Sequence, residues 1–175
     1  MKSKFIALTA FLSFFLTSCD AVDDLLTFTI SNETSIKIPS TSPINLPSEI
    51  IMPDVTTNSS AEFENNKTKA SLVKDVKLKS LKLSISDPSD KTFTFLKSVH
   101  LYISTANSEE IELAYQDNIM ATTNTIDLIC TDKKLDEYIK ADSYKIRTQV
   151  TLKETLTKDV TIKADMKFKV TADPF

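Results

Sequence analysis

The stretch Val160-Thr-Ile-Lys-Ala-Asp-Met-Lys-Phe-Lys-Val170 decides the fold class. Val160, Ile162, Ala164, Met166, Phe168 and Val170 take every second position, and Lys163, Asp165, Lys167 and Lys169 stand between them. Side chains alternate faces along a strand, so this spacing predicts a strand with one face in the core and one in water. Just upstream, Tyr144, Ile146, Thr148, Val150 and Leu152 alternate against Lys145, Arg147, Gln149, Thr151 and Lys153. The polar link Glu154–Asp159 is short, so the two strands are expected to form a long hairpin.

The same period recurs along the chain. Val76 and Leu78 hold one parity and Leu81, Leu83 and Ile85 the other, which places a β-bulge or a change of sheet at Lys79-Ser80. Asp87-Pro-Ser-Asp90 reads as a turn. Phe93 with Phe95, then Val99, Leu101 and Ile103, then Ile111, Leu113 and Tyr115 alternate as further strands. Leu26–Ile30 and Ser35–Ile38 flank Ser-Asn-Glu-Thr and suggest another hairpin. Residues 39–60 carry Pro39, Pro43, Pro47 and Pro53 and read as a loop, with an extended edge segment near Glu49–Met52. One helix is expected over Lys133–Ala141, capped by Asp132, with Leu135, Tyr138 and Ile139 on one face. A weaker helical pattern covers Asn66–Lys74. The chain contains no Gly, so turns that need positive φ fall to Asn or Asp, with Asn32, Asn107 and Asn118 as candidates. The sum is an all-β protein, an antiparallel β-sandwich of Ig-like or Greek-key type with about seven to nine strands and one short helix. A small open barrel is the alternative.

The N-terminus has a different character. Lys2 and Lys4 precede an apolar run of 12 residues, Phe5–Leu16. A bilayer core of ~30 Å needs about 20 helical residues, so the run has signal-peptide dimensions rather than those of a membrane span. It leads directly into Leu16-Thr17-Ser18-Cys19. This segment resembles bacterial lipoprotein precursors, in which an aliphatic residue and two small residues precede an invariant Cys. The resemblance covers about the first 20 residues. It implies cleavage between Ser18 and Cys19, and covalent diacylglyceryl and N-acyl lipid on Cys19. Residues 1–18 would then be a signal peptide, 19–25 an acidic lipidated tether and 26–175 one domain. Asp20, Asp23 and Asp24 look like the acidic signal that sends lipoproteins of the Bacteroidota to the outer face of the outer membrane, with Ala21-Val22 interrupting the acid run. Whether the domain faces outward or into the periplasm stays open. From Leu81 onward the pattern is similar to small Ig-like envelope lipoproteins of the same phylum, but no residue role is carried over from that likeness.

Composition limits the chemistry. With no Gly there is no phosphate-cradling loop, dinucleotide fingerprint, nucleophile elbow or calcium loop. The single His, His100, rules out a multi-histidine zinc site. Loss of Lys2 and Lys4 with the signal leaves 19 basic against 24 acidic residues, and Arg147 is the one Arg. That balance speaks against nucleic acid. Cys130 is expected buried, continuing the face of Ile126 and Leu128, and with Cys19 lipidated it has no intrachain partner. His100 has the parity opposite Val99, Leu101 and Ile103 and is expected at the rim. The carboxylate pairs Asp87/Asp90, Glu109/Glu110 and Asp136/Glu137 read as solvated charge, with no EF-hand spacing. Lys77, Lys79 and Lys82 read as a stripe that guards a sheet edge. No metal or other cofactor is implied, and no catalytic residue. The expected function is a non-catalytic, lipid-anchored envelope module that binds another envelope protein or a glycan. The alternative is an envelope carrier or enzyme with an apolar cavity inside the sandwich.

Overall fold

The computed structural model describes residues 26–173. The lipobox, its cleavage site at Ser18 and Cys19, and the aspartates Asp20, Asp23 and Asp24 lie outside the described residues.

The strands, in chain order, are β1 (Thr27–Ile38), β2 (Pro47–Ile51), β3 (Val55–Thr56), β4 (Val73–Asp87), β5 (Leu96–Ser104), β6 (Ile111–Gln116), β7 (Thr125–Asp127), β8 (Ile129–Cys130), β9 (Ser143–Leu152) and β10 (Val160–Ala172). Two short helices join them, α1 (Ser59–Asn65) and α2 (Asp136–Lys140). One sheet has four strands in the order β1-β10-β4-β7; the other has six, β2-β9-β5-β6-β8 with β3 also on β9. Every strand pair is antiparallel. Setting aside the two-residue strands β3 and β8 leaves eight strands; successive ones trade between the sheets, except β5 and β6, which pair with each other, and the result is the double Greek-key order of a jelly roll. The expected antiparallel Greek-key sandwich is therefore present, and its strand order is the jelly roll's, which differs from the immunoglobulin order.

The inner faces meet in one cluster of buried side chains between the sheets. Ile162, Ala164, Met166, Phe168 and Val170 of β10 are buried, and so are Tyr144, Ile146, Val150 and Leu152 of β9. These two strands do not form the expected hairpin. β10 pairs with β1 and β4, whereas β9 pairs with β2 and β5. Their apolar faces oppose each other across the core, with the Tyr144 and Phe168 rings edge to face at 6.3 Å. The link between them buries Leu156 as it crosses from one sheet to the other. Alternation states which face is apolar; it does not state which neighbour lies beside the strand.

Other expectations change for local reasons. β1 is one strand and not a hairpin, in continuous register with β10 from Thr27↔Thr171 to Ile38↔Val160. Ser31-Asn-Glu-Thr34 looks turn-like, yet the inward phase runs unbroken from Phe28 through Ile30 to Ile36 and Ile38. Phe93 and Phe95 lie in a 3-10 turn with both rings fully buried, and not in a strand. β4 is a single strand whose register with β10 skips Lys79, which is the bulge expected there. The expected helix from Lys133 is shorter and starts at Asp136, with no side-chain cap. The Leu135 N–H bonds the Val76 carbonyl at 2.8 Å, so the preceding residues line the edge of β4 instead of turning. Helix α1 precedes the Asn66–Lys74 region, where Lys67 has φ 57° and the chain then enters β4. Asn118 does take positive φ, as do Asn45 and Asn58, while Asn32 is in β1 and Asn107 has no positive φ. The edge segment near Glu49 is β2.

Candidate functional site

Outward-facing residues of the six-stranded sheet form a continuous row. On β5, burial of Val99, Leu101 and Ile103 turns His100 and Tyr102 outward. Register then places Tyr115 of β6 and Gln149 of β9 beside His100, and Glu112 of β6 and Arg147 of β9 beside Tyr102. A bulge makes this possible. The β5–β6 register skips Leu113, so Leu113 and Ala114 are both fully buried while Glu112 and Tyr115 both stay on the outer face. Tyr115 therefore joins the outer row and not the core alternation expected for it.

The row is ordered by stacking and charge. The Arg147 guanidinium lies 4.1 Å from the centre of the Tyr102 ring. The His100 ring is nearly parallel to those of Tyr102 and Tyr115, with centroids at 6.5 and 5.7 Å. Arg147 Nε and Nη2 donate to Glu110 at 2.7–3.1 Å, and Nη1 donates to Glu49 of β2 at 2.9 Å. The hydrogen bond from Arg147 holds the Glu110 carboxyl below its ordinary range, and Glu110 in turn raises Arg147. His100 Nδ1 lies 2.7 Å from Glu112 Oε1, and Nε2 lies 3.2 Å from Asp117 Oδ1. Burial opposes charge on the imidazole, but the bonds to Glu112 and Asp117 outweigh it and raise His100 above its ordinary value. The two carboxylates sit at opposite ring nitrogens, so they cannot converge on one ion. Among the described residues, no group of three or more His, Cys, Asp or Glu is placed to hold a metal.

The remaining candidates are dispersed. Glu110 engages Arg147, while the Glu109 carbonyl accepts from the Tyr138 hydroxyl. Glu137 accepts from Ser108 at 3.1 Å. Asp87 ends β4, before a cis bond to Pro88. Cys130 is half-buried rather than buried. The chain passes from β7 in one sheet to β8 in the other at Leu128, which leaves Cys130 on a two-residue edge strand. Burial still pushes its thiol up. Lys77, Lys79 and Lys82 lie on β4, inside the sheet order, so they are not guards of an open edge. The far side of β4 is covered by the chain itself, where the Leu128 N–H bonds Leu81, the Leu135 N–H bonds Val76 and Lys140 Nζ bonds Val73. A cleft of about 300 Å³ opens among loops, lined by Asp54, Asn107, Asp142 and Lys145.

The parity of His100 places it at the rim, as expected, but does not reveal the groups around it. The missing signal was the bulge at Leu113, which brings Glu112 and Tyr115 to the same face.

No family model matches the chain, and no curated protein matches it. Among solved structures it is similar to a chain of Desmodium yellow mottle tymovirus, at 15% identity and TM-score 0.31, covering 83% of this chain and 88% of that one. It is also similar to the decameric BFDV capsid protein, at 10% identity and TM-score 0.40, covering 84% and 98%. The jelly-roll assignment rests on the strand order and not on these likenesses.

Proposed function

We propose that this protein is a lipid-anchored module of the bacterial cell envelope that works by binding, without catalysis, through the outer face of its six-stranded sheet. The carrying observation is the row Arg147, Tyr102, His100 and Tyr115, whose charged members are held in fixed geometry at about a quarter side-chain exposure. Pre-ordered aromatic and charged side chains lose little entropy when a partner arrives. The single contiguous cluster of buried apolar side chains between the sheets supports this reading over a carrier with an internal cavity. The partner is another envelope protein or a glycan.

The anchor is proposed at Cys19, carrying diacylglyceryl and N-acyl lipid after cleavage at Ser18. Two or three acyl chains, at ~0.8 kcal/mol per buried methylene, hold far more firmly than one. The Cys19→Ser variant is expected to be released from membranes or to stay uncleaved; mature protein still in the membrane fraction refutes lipidation. An outer-membrane location, with Asp20, Asp23 and Asp24 as sorting signal, belongs to the same proposal. The binding face is tested by in-cell crosslinking. A photoreactive residue at position 149 should capture a partner, and one at position 169, on the outer face of the other sheet, should not. Equal capture at both, or none at position 149, overturns the assignment.

A further inference from the structure

We propose that His100 is a proton-operated clasp. It ties the start of the loop after β6 to the outer face of the six-stranded sheet when its ring carries two protons, and it lets Asp117 go as the pH rises.

The argument begins with donor counting. An ionised carboxylate only accepts hydrogen bonds, and a neutral imidazole has one N–H to give. His100 faces a carboxylate at each nitrogen, Glu112 at Nδ1 and Asp117 at Nε2. Both contacts are donated only by the imidazolium, so loss of one proton removes one of them.

Geometry says which contact goes. The Glu112 contact is 2.7 Å, with that side chain 33% exposed; the Asp117 contact is 3.2 Å, with that side chain 55% exposed. Glu112 is fixed in the ladder opposite Tyr102, whereas Asp117 follows the last residue of β6. The remaining proton therefore stays on Nδ1, and Asp117 loses its partner. Asn118 beside it is left-handed, with φ 49°. Gln116 Nε2 also donates to the Asp117 carbonyl at 3.1 Å, a bond between neighbours that does not reach across the sheet; the next hold that does is Ile119, whose N–H bonds Lys97 and whose carbonyl accepts from Lys153 Nζ. Release is thus confined to the turn at Asp117-Asn118, and it uncovers Nε2 of His100 on the outer face.

The charged and titratable neighbours all bear on the same equilibrium. Tyr102 on β5 and Tyr115 on β6 flank the ring, and Glu112 and Asp117 hold its nitrogens. Gln149 is the uncharged register partner on β9. Arg147 lies beyond Tyr102 and is engaged by Glu110 and Glu49. The two carboxylates favour the proton, in keeping with the raised value of the ring. The stabilising contribution is therefore fully present below the ordinary histidine range and lost as the pH rises through the raised folded value. The clasp does not depend on what the face binds.

The single histidine makes the test direct. Nitrogen-15 NMR of the full-length chain should give one ring titration with its midpoint above about 6.5. The neutral form should be the Nδ1–H tautomer. Asp117→Asn and Glu112→Gln should each lower the midpoint, because each removes a negative charge. The Asp117 and Asn118 amides, corrected for intrinsic exchange, should exchange several-fold faster above the midpoint than below it. A midpoint at or below the ordinary value, an Nε2–H tautomer, or amide protection that ignores the titration each overturns the clasp.

Discussion

The outer faces of the two sheets are both polar and organise their side chains differently. On the four-stranded sheet, Lys163 pairs with Glu33 and Asp165, and Lys37 with Asp159, all at 38–68% side-chain exposure. On the six-stranded sheet, Arg147 and His100 are only 23% and 24% exposed, and each is fixed by carboxylates and an adjacent ring. Water reaches both partners of each pair in the first set; in the second it reaches the carboxylates, at 33–57% exposure, and much less of the two cations. Polarity alone therefore does not separate a solvated surface from an ordered one; the degree of burial and the stacking do.

The largest effect lies beneath both faces. Phe168 is fully buried on β10 and packs against Tyr144 of the opposite sheet. Phe168→Asp places an unpaired charge where the two sheets meet, and is expected to abolish cooperative unfolding. Phe168→Ala should fold with a loss of about 3–5 kcal/mol. Denaturant melts measure both. If the aspartate variant melts near wild type, the two faces do not share one core.

A smaller effect separates the faces themselves. Arg147→Ala removes the fork to Glu110, the bond to Glu49 and the guanidinium over Tyr102. The expected loss is roughly 1 kcal/mol, above the usual yield of an exposed ion pair. The Glu110 carboxyl is held low by Arg147, so its contribution is present above the ordinary carboxylate range and fades as pH falls through the lowered value. Acid titration of stability should show that fading in wild type and not in Arg147→Ala. No difference between the two would make the six-stranded face as loosely held as the other.

The sequence made the strands legible and their neighbours much less so. Period two in β10, β9 and β4 is a local property of each segment, and the parity switch at Lys79 located a bulge without any partner in view. Pairing is a long-range property. The short polar link Glu154–Asp159 fits a hairpin as well as a crossing between sheets, and burial of Leu156 decides it. The outer row was hidden for a related reason. Ile111, Leu113 and Tyr115 alternate cleanly in sequence, but the skipped Leu113 flips the phase, so Tyr115 belongs with His100. A run such as Ser31–Thr34 misled in the opposite direction, because polar residues at inward positions near a sheet edge mimic a turn while the phase on either side stays constant.

The smallest expected effect is the sharpest test of the contrast. Lys163 Nζ lies 2.6 Å from Glu33 and 3.0 Å from Asp165, distances as short as those around Arg147. Judged by distance alone, Lys163→Ala should cost as much as Arg147→Ala. Judged by exposure it should cost almost nothing, since the ammonium and both carboxylates are wet and a flexible stem must be ordered to bring them together. The expectation is a melting temperature unchanged within error, and no difference in salt dependence from wild type, because ions already screen such pairs. A loss equal to that of Arg147→Ala would mean that the outer face of the four-stranded sheet is as ordered as the other, and would remove the reason for assigning binding to one face over the other.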